Sequence, residues 1–274
     1  MNKKLHKQPT TEEKNYVFIK ELTFECYQNT QYASVERAIN SYFDMLRYNG
    51  QILGREFPIA MLGAVFTTRL VCPEEHSLDE QYNSPQVTHA LNQLTQAGLL
   101  APKIKTVAED LNSLECAPDF SPSWQVLYTT FLDTCSPIRC GETLQPIPLY
   151  RTPEAISNGD RKSVIKWQEE WINCDELQMN GSAVSTAILK EMGEIDSKLF
   201  YRGSNLAKRI QYVTKVPTYY YLYRVAGISL EEERNRKCPS CGGEWRQPSP
   251  LFDIFDFKCD ECQLVSNLSW DFKK

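Results

Sequence analysis

Two cysteine pairs, Cys238-Pro-Ser-Cys241-Gly-Gly and Cys259-Asp-Glu-Cys262, stand 17 residues apart in the last part of the 274-residue sequence. No other feature restricts the fold of a segment so tightly. A C-x2-C pair folds into a tight knuckle that points two thiolates at one ion. Gly242 and Gly243 suit the turn that follows, where φ can be positive and backbone amides can approach sulfur. The 17 intervening residues are enough for a β-hairpin that brings the second knuckle opposite the first. Four converging thiolates are the donor set of a structural zinc site. The alternative is a pair of redox C-x-x-C motifs, but those sit at strand-to-helix junctions. A segment this short cannot bury a core of its own, which favours metal as the folding agent. The expectation is a zinc ribbon over 237–274, with one structural zinc ion on Cys238, Cys241, Cys259 and Cys262.

The ribbon's charge weighs against the reflex that such a module grips DNA. Residues 236–274 carry six basic and six acidic side chains. Zinc with four thiolates adds a formal charge of about −2, because the ligands must be deprotonated. Phosphate-binding surfaces need the opposite sign. Trp245, Phe252, Phe255, Phe257, Trp270 and Phe272 are dense for so few residues. They are expected to form the ribbon's core and its seam with the body; a partner-binding or base-stacking face is the alternative.

The rest of the sequence has a soluble protein's composition, 42% apolar and 24% charged. Its first residues, Met1-Asn-Lys-Lys-Leu-His, are polar and do not form a secretory signal. No stretch approaches the roughly 18 apolar residues of a membrane span; Phe57 to Val71 is interrupted by Pro58, Thr67, Thr68 and Arg69. A cytoplasmic protein is expected, with no membrane partner, and its ten cysteines then serve as ligands or buried thiols. The net charge of −5 comes entirely from residues 1–150, which carry 12 Lys/Arg against 17 Asp/Glu. An acidic front half excludes a protein that coats nucleic acid over its whole surface.

Hydrophobic patterning divides the chain into four parts. The segment 1–14 is polar and expected to fray. Tyr16–Cys26 alternates as a strand. Ser34 is the expected N-cap of a helix carrying Val35, Ala38, Ile39, Tyr42, Phe43 and Leu46, closed by Gly50. Ile59–Val71 reads as one strand, and Ser84-Pro85 opens a helix that Gly98 ends. Lys103–Val107 and Trp124–Leu132 read as further strands. The fold class is therefore α+β: an α/β sandwich body of ferredoxin-like type over 1–133, a proline-rich crossing segment over 134–159, a helical extension over 160–236 and the ribbon. The extension ends in an aromatic strand, Thr218-Tyr-Tyr-Tyr-Leu-Tyr-Arg-Val225.

One region carries charge of a single sign. Between Ser197 and Arg224 stand Lys198, Arg202, Lys208, Arg209, Lys215 and Arg224 with no acid, interleaved with tyrosines. Arg202, Lys208, Arg209, Lys215 and Arg224, with Tyr220 as a stacking face, are the candidate nucleic-acid or polyanion contacts. The plainer reading is a solvated helix face plus a half-buried strand. Cys135-Ser-Pro-Ile-Arg-Cys140, with Cys174, is a candidate second thiol or metal site, against the plainer reading of buried thiols. His76 and His89 have no partner at ligand spacing. No phosphate-binding glycine loop, nucleophile elbow or His-Glu-x-x-His motif is present, so no positive feature marks an enzyme.

The stretches Val216-Pro-Thr-Tyr-Tyr-Tyr-Leu-Tyr-Arg, Cys238-Pro-Ser-Cys-Gly-Gly-Glu-Trp and Phe257-Lys-Cys-Asp-Glu-Cys-Gln-Leu-Val-Ser-Asn-Leu-Ser-Trp270 resemble a family of proteobacterial zinc-ribbon proteins to which nucleic-acid binding has been ascribed. Cys135-Ser-Pro-Ile-Arg-Cys-Gly and Pro148-Leu-Tyr-Arg-Thr-Pro153 are similar to the same family. The resemblance implies the four zinc ligands and a bacterial cytoplasmic setting. Its nucleic-acid role is itself inferred from the ribbon. Three functions follow for testing: nucleic-acid association through the basic stretch, protein–protein docking through the ribbon, and an enzyme or redox protein using the Cys135/Cys140 loop.

Overall fold

The computed structural model describes residues 16–118, 121–154 and 159–273; the polar segment 1–14 lies outside them. The first half builds a four-stranded sheet from β1 (Phe18–Glu25), β2 (Ala60–Leu62), β3 (Val65–Cys72) and β4 (Lys103–Glu109), with helices α1 (Tyr32–Asn49) and α2 (Pro85–Gln96). The order is β2-β3-β1-β4 and every neighbouring pair is antiparallel. This is a β-α-β-β-α-β chain wound as two interleaved halves. Leu22 and Phe24 of β1 pack on Val35, Ile39, Phe43 and Leu46 of α1 and on Val87 and Leu94 of α2.

The turn chemistry explains both the agreements and the departures. Ser84 Oγ accepts from the Val87 amide and starts α2 as expected. Gly50 takes φ +80° and its amide donates to Arg47 O at 2.8 Å, stopping α1. Ser34, however, is not the cap of α1: the helix begins two residues earlier, with Gln31 in the extended conformation before it. The single strand expected over Ile59–Val71 is a hairpin, because Gly63 at φ +63° reverses the chain between β2 and β3.

The second half is a six-stranded sheet with helices packed on it. Its strands are β5 (Gln125–Leu127), β6 (Ile138–Cys140), β7 (Thr218–Leu222), β8 (Arg246–Leu251), β9 (Phe255–Cys259) and β10 (Leu264–Ser266), in the order β6-β5-β7-β10-β9-β8. Its helices are α3 (Asp160–Met179), α4 (Ser185–Gly193), α5 (Lys198–Thr214) and the short α6 (Leu230–Arg234). Two departures from the expected division follow. β5 was expected in the body over 1–133, but it pairs parallel with β7 in the second sheet. The ribbon is not an appendage: β10 pairs parallel with β7, so the four-cysteine module completes the sheet. β7 is central, and all five of its residues are buried. Their rings interlock with Trp167 (5.8 Å from Tyr220), Tyr128 (5.0 Å from Tyr221) and Phe255 (5.6 Å from Tyr221).

A polar seam joins the halves. Arg47 of α1 pairs with Glu169 of α3, and Arg161 donates to Asn49. Glu74 receives the Arg151 guanidinium at 2.6 and 3.0 Å as well as the Tyr150 hydroxyl.

Candidate metal centre and the basic groove

The sulfurs of Cys238, Cys241, Cys259 and Cys262 all lie within 4.8 Å of one another. Cys241 and Cys259 are 3.7 Å apart. A tetrahedron with Zn–S bonds of about 2.3 Å has edges of about 3.8 Å, so the four thiols fit a single zinc-sized ion. The knuckles are built by local backbone. The Gly242 amide donates to Cys238 O at 2.8 Å, the Cys238 amide to Gly243 O at 2.9 Å, and the Cys262 amide to Cys259 Sγ at 3.4 Å. Each knuckle is followed by a left-handed residue, Gly242 at φ +73° and Gln263 at φ +53°. The Gly243 backbone, then the Cys262 side chain, lower the Cys241 thiol, whereas burial pushes Cys259 up to about 12. Four thiols around one point would leave an ion no open coordination position, as structural sites do.

The centre is fastened to β7. Gln263 O accepts from the Tyr220 amide at 2.9 Å, and Asp260, between the ligands, accepts from the Tyr219 hydroxyl at 2.7 Å. Buried Asn267 satisfies both ends of its amide. Its oxygen accepts from the Tyr221 hydroxyl and the Arg224 amide, each at 2.9 Å, and its nitrogen donates to Arg224 O at 2.6 Å and Leu268 O at 2.8 Å. Arg236 lies 4.8 Å from the Trp245 ring and 4.5 Å from the Phe257 ring. Trp245, Phe255 and Phe257 are buried, Phe252 and Phe272 partly so, and Trp270 is exposed. The ribbon's aromatics are core and seam rather than an open docking face.

The basic stretch does not form the strip that the sequence drew. Tyr220 is 1% exposed, because a central strand buries both of its faces, and no base can stack on it. Arg224 donates to Glu233 at 2.9 Å, on the ribbon side of the molecule. Lys215 caps α5 in the left-handed conformation, with its ammonium 4.4 Å from the Tyr212 ring. Lys208 is exposed on α5. Arg202 and Arg209 pair with Glu170 and Asp160 of α3, so the two helices lie antiparallel. Sequence reading missed what these pairs bring together. Lys162 and Lys166 of α3 join Arg202 and Arg209 around an open concavity of about 580 Å³, lined by no carboxylate. The available signal was the four-residue spacing of Lys162 and Lys166, masked by Asp160, Glu169 and Glu170 on the same helix.

The second thiol site does not assemble. Cys140 donates to Glu142 Oε2 at 3.1 Å, and Cys174 is half-buried on α3. Among the described residues, the four ribbon cysteines are the one group placed to share a metal. His76 stands on the surface 3.4 Å from Asp79, and His89 is exposed on α2.

Fold and site together define an α+β protein of two sheets whose second sheet is completed by a four-cysteine cluster fit for a metal ion. Three family models cover it, each described as a domain of unknown function: DUF8589 over residues 17–108, DUF2310 over 119–223 and DUF8594 over 227–272. An uncharacterized Haemophilus influenzae protein is 46% identical over 245 residues, spanning 87% of this chain and 93% of the relative. A second is 49% identical over 180 residues, 65% of this chain and 87% of the relative. The chain belongs to the family of these Haemophilus influenzae proteins. A solved Caulobacter crescentus structure, described as an antibiotic biosynthesis monooxygenase, covers 34% of this chain and 90% of its own length at 11% identity and a TM-score of 0.29. Among the described residues no helix is long and apolar enough to cross a membrane.

Proposed function

We propose that this protein is a zinc-stabilised binding protein that holds the phosphate backbone of a nucleic acid in the groove between α3 and α5. One observation carries the reading: Lys162, Lys166, Arg202 and Arg209 converge on a single concavity with no acid in its lining. The guanidiniums pair with Glu170 and Asp160, neither of which lines the concavity, and Lys166 is braced by Glu169 at 2.8 Å. Cations held in place lose less side-chain freedom when they meet an anion. Zinc's part is structural, holding the ribbon against β7. The ribbon has as many acids as bases before its thiolates are counted and is not assigned a nucleic-acid contact.

Because the chain carries a net charge of −5, affinity is expected to be modest and steeply salt-dependent. Arg202, Arg209 and Lys166 are shared with Glu170, Asp160 and Glu169, so fewer than four phosphates are neutralised and the slope of log K against log salt is expected to be about −1 to −3. Fluorescence anisotropy with labelled single- and double-stranded RNA and DNA across a salt series tests the proposal. The Lys162→Glu/Lys166→Glu variant should abolish binding, while Lys215→Glu, outside the groove, should weaken it little. Equal affinity of the groove variant and the wild type, or no binding to any of the four probes at low salt, overturns the reading.

A further inference from the structure

The two halves enclose a second, quite different space. A cleft of about 420 Å³ opens between the segment after α1, the loop 131–137, the segment 146–149 and one face of α3. Its walls are mainly apolar, with Ile52, Leu53, Leu149, Ile165 and Ile172 contributing. Two thiols from different parts of the sequence, Cys116 and Cys135, also line it. Burial raises both above the ordinary thiol value. They therefore stay protonated and act as apolar wall rather than as nucleophiles. The volume falls within the range of small-molecule sites. The space belongs to neither half alone, and the seam of Arg47, Glu169, Glu74 and Arg151 holds its walls in place.

The charges at the rim set the chemistry of an occupant. Arg47 is engaged by Glu169, and Asp133 by wholly buried Arg139 at 2.9 Å. What remains is Arg55 against Glu56 and Glu176, so the opening carries a net negative charge. Glu176 is exposed and lies one turn beyond Ile172 on the same face of α3. We propose that this cleft binds a compact apolar molecule bearing one protonated amine, with the apolar body between Ile172, Ile165 and the two thiols and the amine at Glu176. An anionic head would meet the one uncompensated carboxylate, and a neutral one would gain nothing from it.

Three eight-carbon probes that differ only in their heads test this on the full-length, metal-loaded protein. Octylamine, octanol and octanoate are titrated into it by calorimetry. Octylamine is expected to bind at least tenfold more tightly than octanol; octanoate is expected not to bind. Glu176→Gln, at an exposed position that leaves the fold intact, should reduce octylamine to the affinity of octanol. Leu114→Trp, at the half-exposed rim, should fill the mouth and weaken amine and alcohol alike. Octanoate binding as tightly as octylamine, unchanged amine affinity in Glu176→Gln, or no binding by any probe overturns the proposal.

Discussion

At the scale of single residues, the cysteines and the tyrosines teach opposite lessons. The four-cysteine cluster was legible in the sequence because a knuckle is a local object: two thiols, two spacers and a turn residue must be adjacent in the chain. Tyr220 was not, since the same run of aromatic residues suits an edge strand or a central one, and only the partners on either side decide. Here β5 and β10 flank β7 and bury the ring against Trp167. That burial leaves a sharp steric signature at Gly203 of α5, where an added Cβ would stand 2.1 Å from Tyr220 Cε2 and 2.6 Å from Trp167 Nε1. Both rings belong to the fixed core, so neither can swing aside. Gly203→Ala is expected to destabilise the second half by about 1–3 kcal/mol through overpacking, despite alanine's better helix propensity. Urea unfolding followed by tryptophan fluorescence checks it. A variant as stable as the wild type would mean that α5 sits farther from β7 than described.

At the scale of elements, the ribbon's part in the sheet matters as much as its four-cysteine cluster. A segment with the C-x2-C spacing invites treatment as an independent module, and its boundary at 237 was drawn on that basis. The pairing of β10 with β7, the Gln263–Tyr220 hydrogen bond and the Asn267 network make it a load shared with the chain's most buried strand. Sequence could not show this, because the register of a parallel pair separated by about forty residues leaves no local mark. Losing the ion should therefore reach beyond the ribbon. Removal of zinc by a strong chelator is expected to lower amide-exchange protection at Tyr219–Leu222 together with β9 and β10, while β1 and β3 stay protected. Cys259→Ser should reproduce the pattern without chelator and release one equivalent of metal. Loss of protection confined to 238–262 would show that the ribbon folds as a separate unit. The hairpin β2–β3 is a milder case of the same blindness: Gly63 was visible, but its positive φ was not.

At the scale of the whole molecule, the two halves meet through ion pairs, and that makes their union sensitive to acid. The division between the sheets was visible in the sequence only as a proline-rich crossing, because the seam is made by residues far apart: Arg47 with Glu169, Arg161 with Asn49, Glu74 with Tyr150 and Arg151. Glu169 is the informative group. Burial pushes its carboxyl up, but hydrogen bonds from Lys166 and Arg47 outweigh it and hold the group below the ordinary glutamate value. A carboxyl depressed in the folded state adds stability that is fully present above the unfolded value of about 4.3 and is lost as pH falls through the folded one. Acid should thus weaken the tie between α1 and α3, and with it the walls of the cleft. Comparing wild type with Glu169→Gln by thermal unfolding between about pH 3 and pH 7, the wild type should be the more stable at neutral pH and the two should converge at the acid end. A difference that persists unchanged at low pH would mean that the carboxylate's charge contributes nothing at this seam. The halves would then be joined by apolar contacts such as that of Gly50 with Leu149, where an added Cβ would come within 2.6 Å of the leucine Cβ.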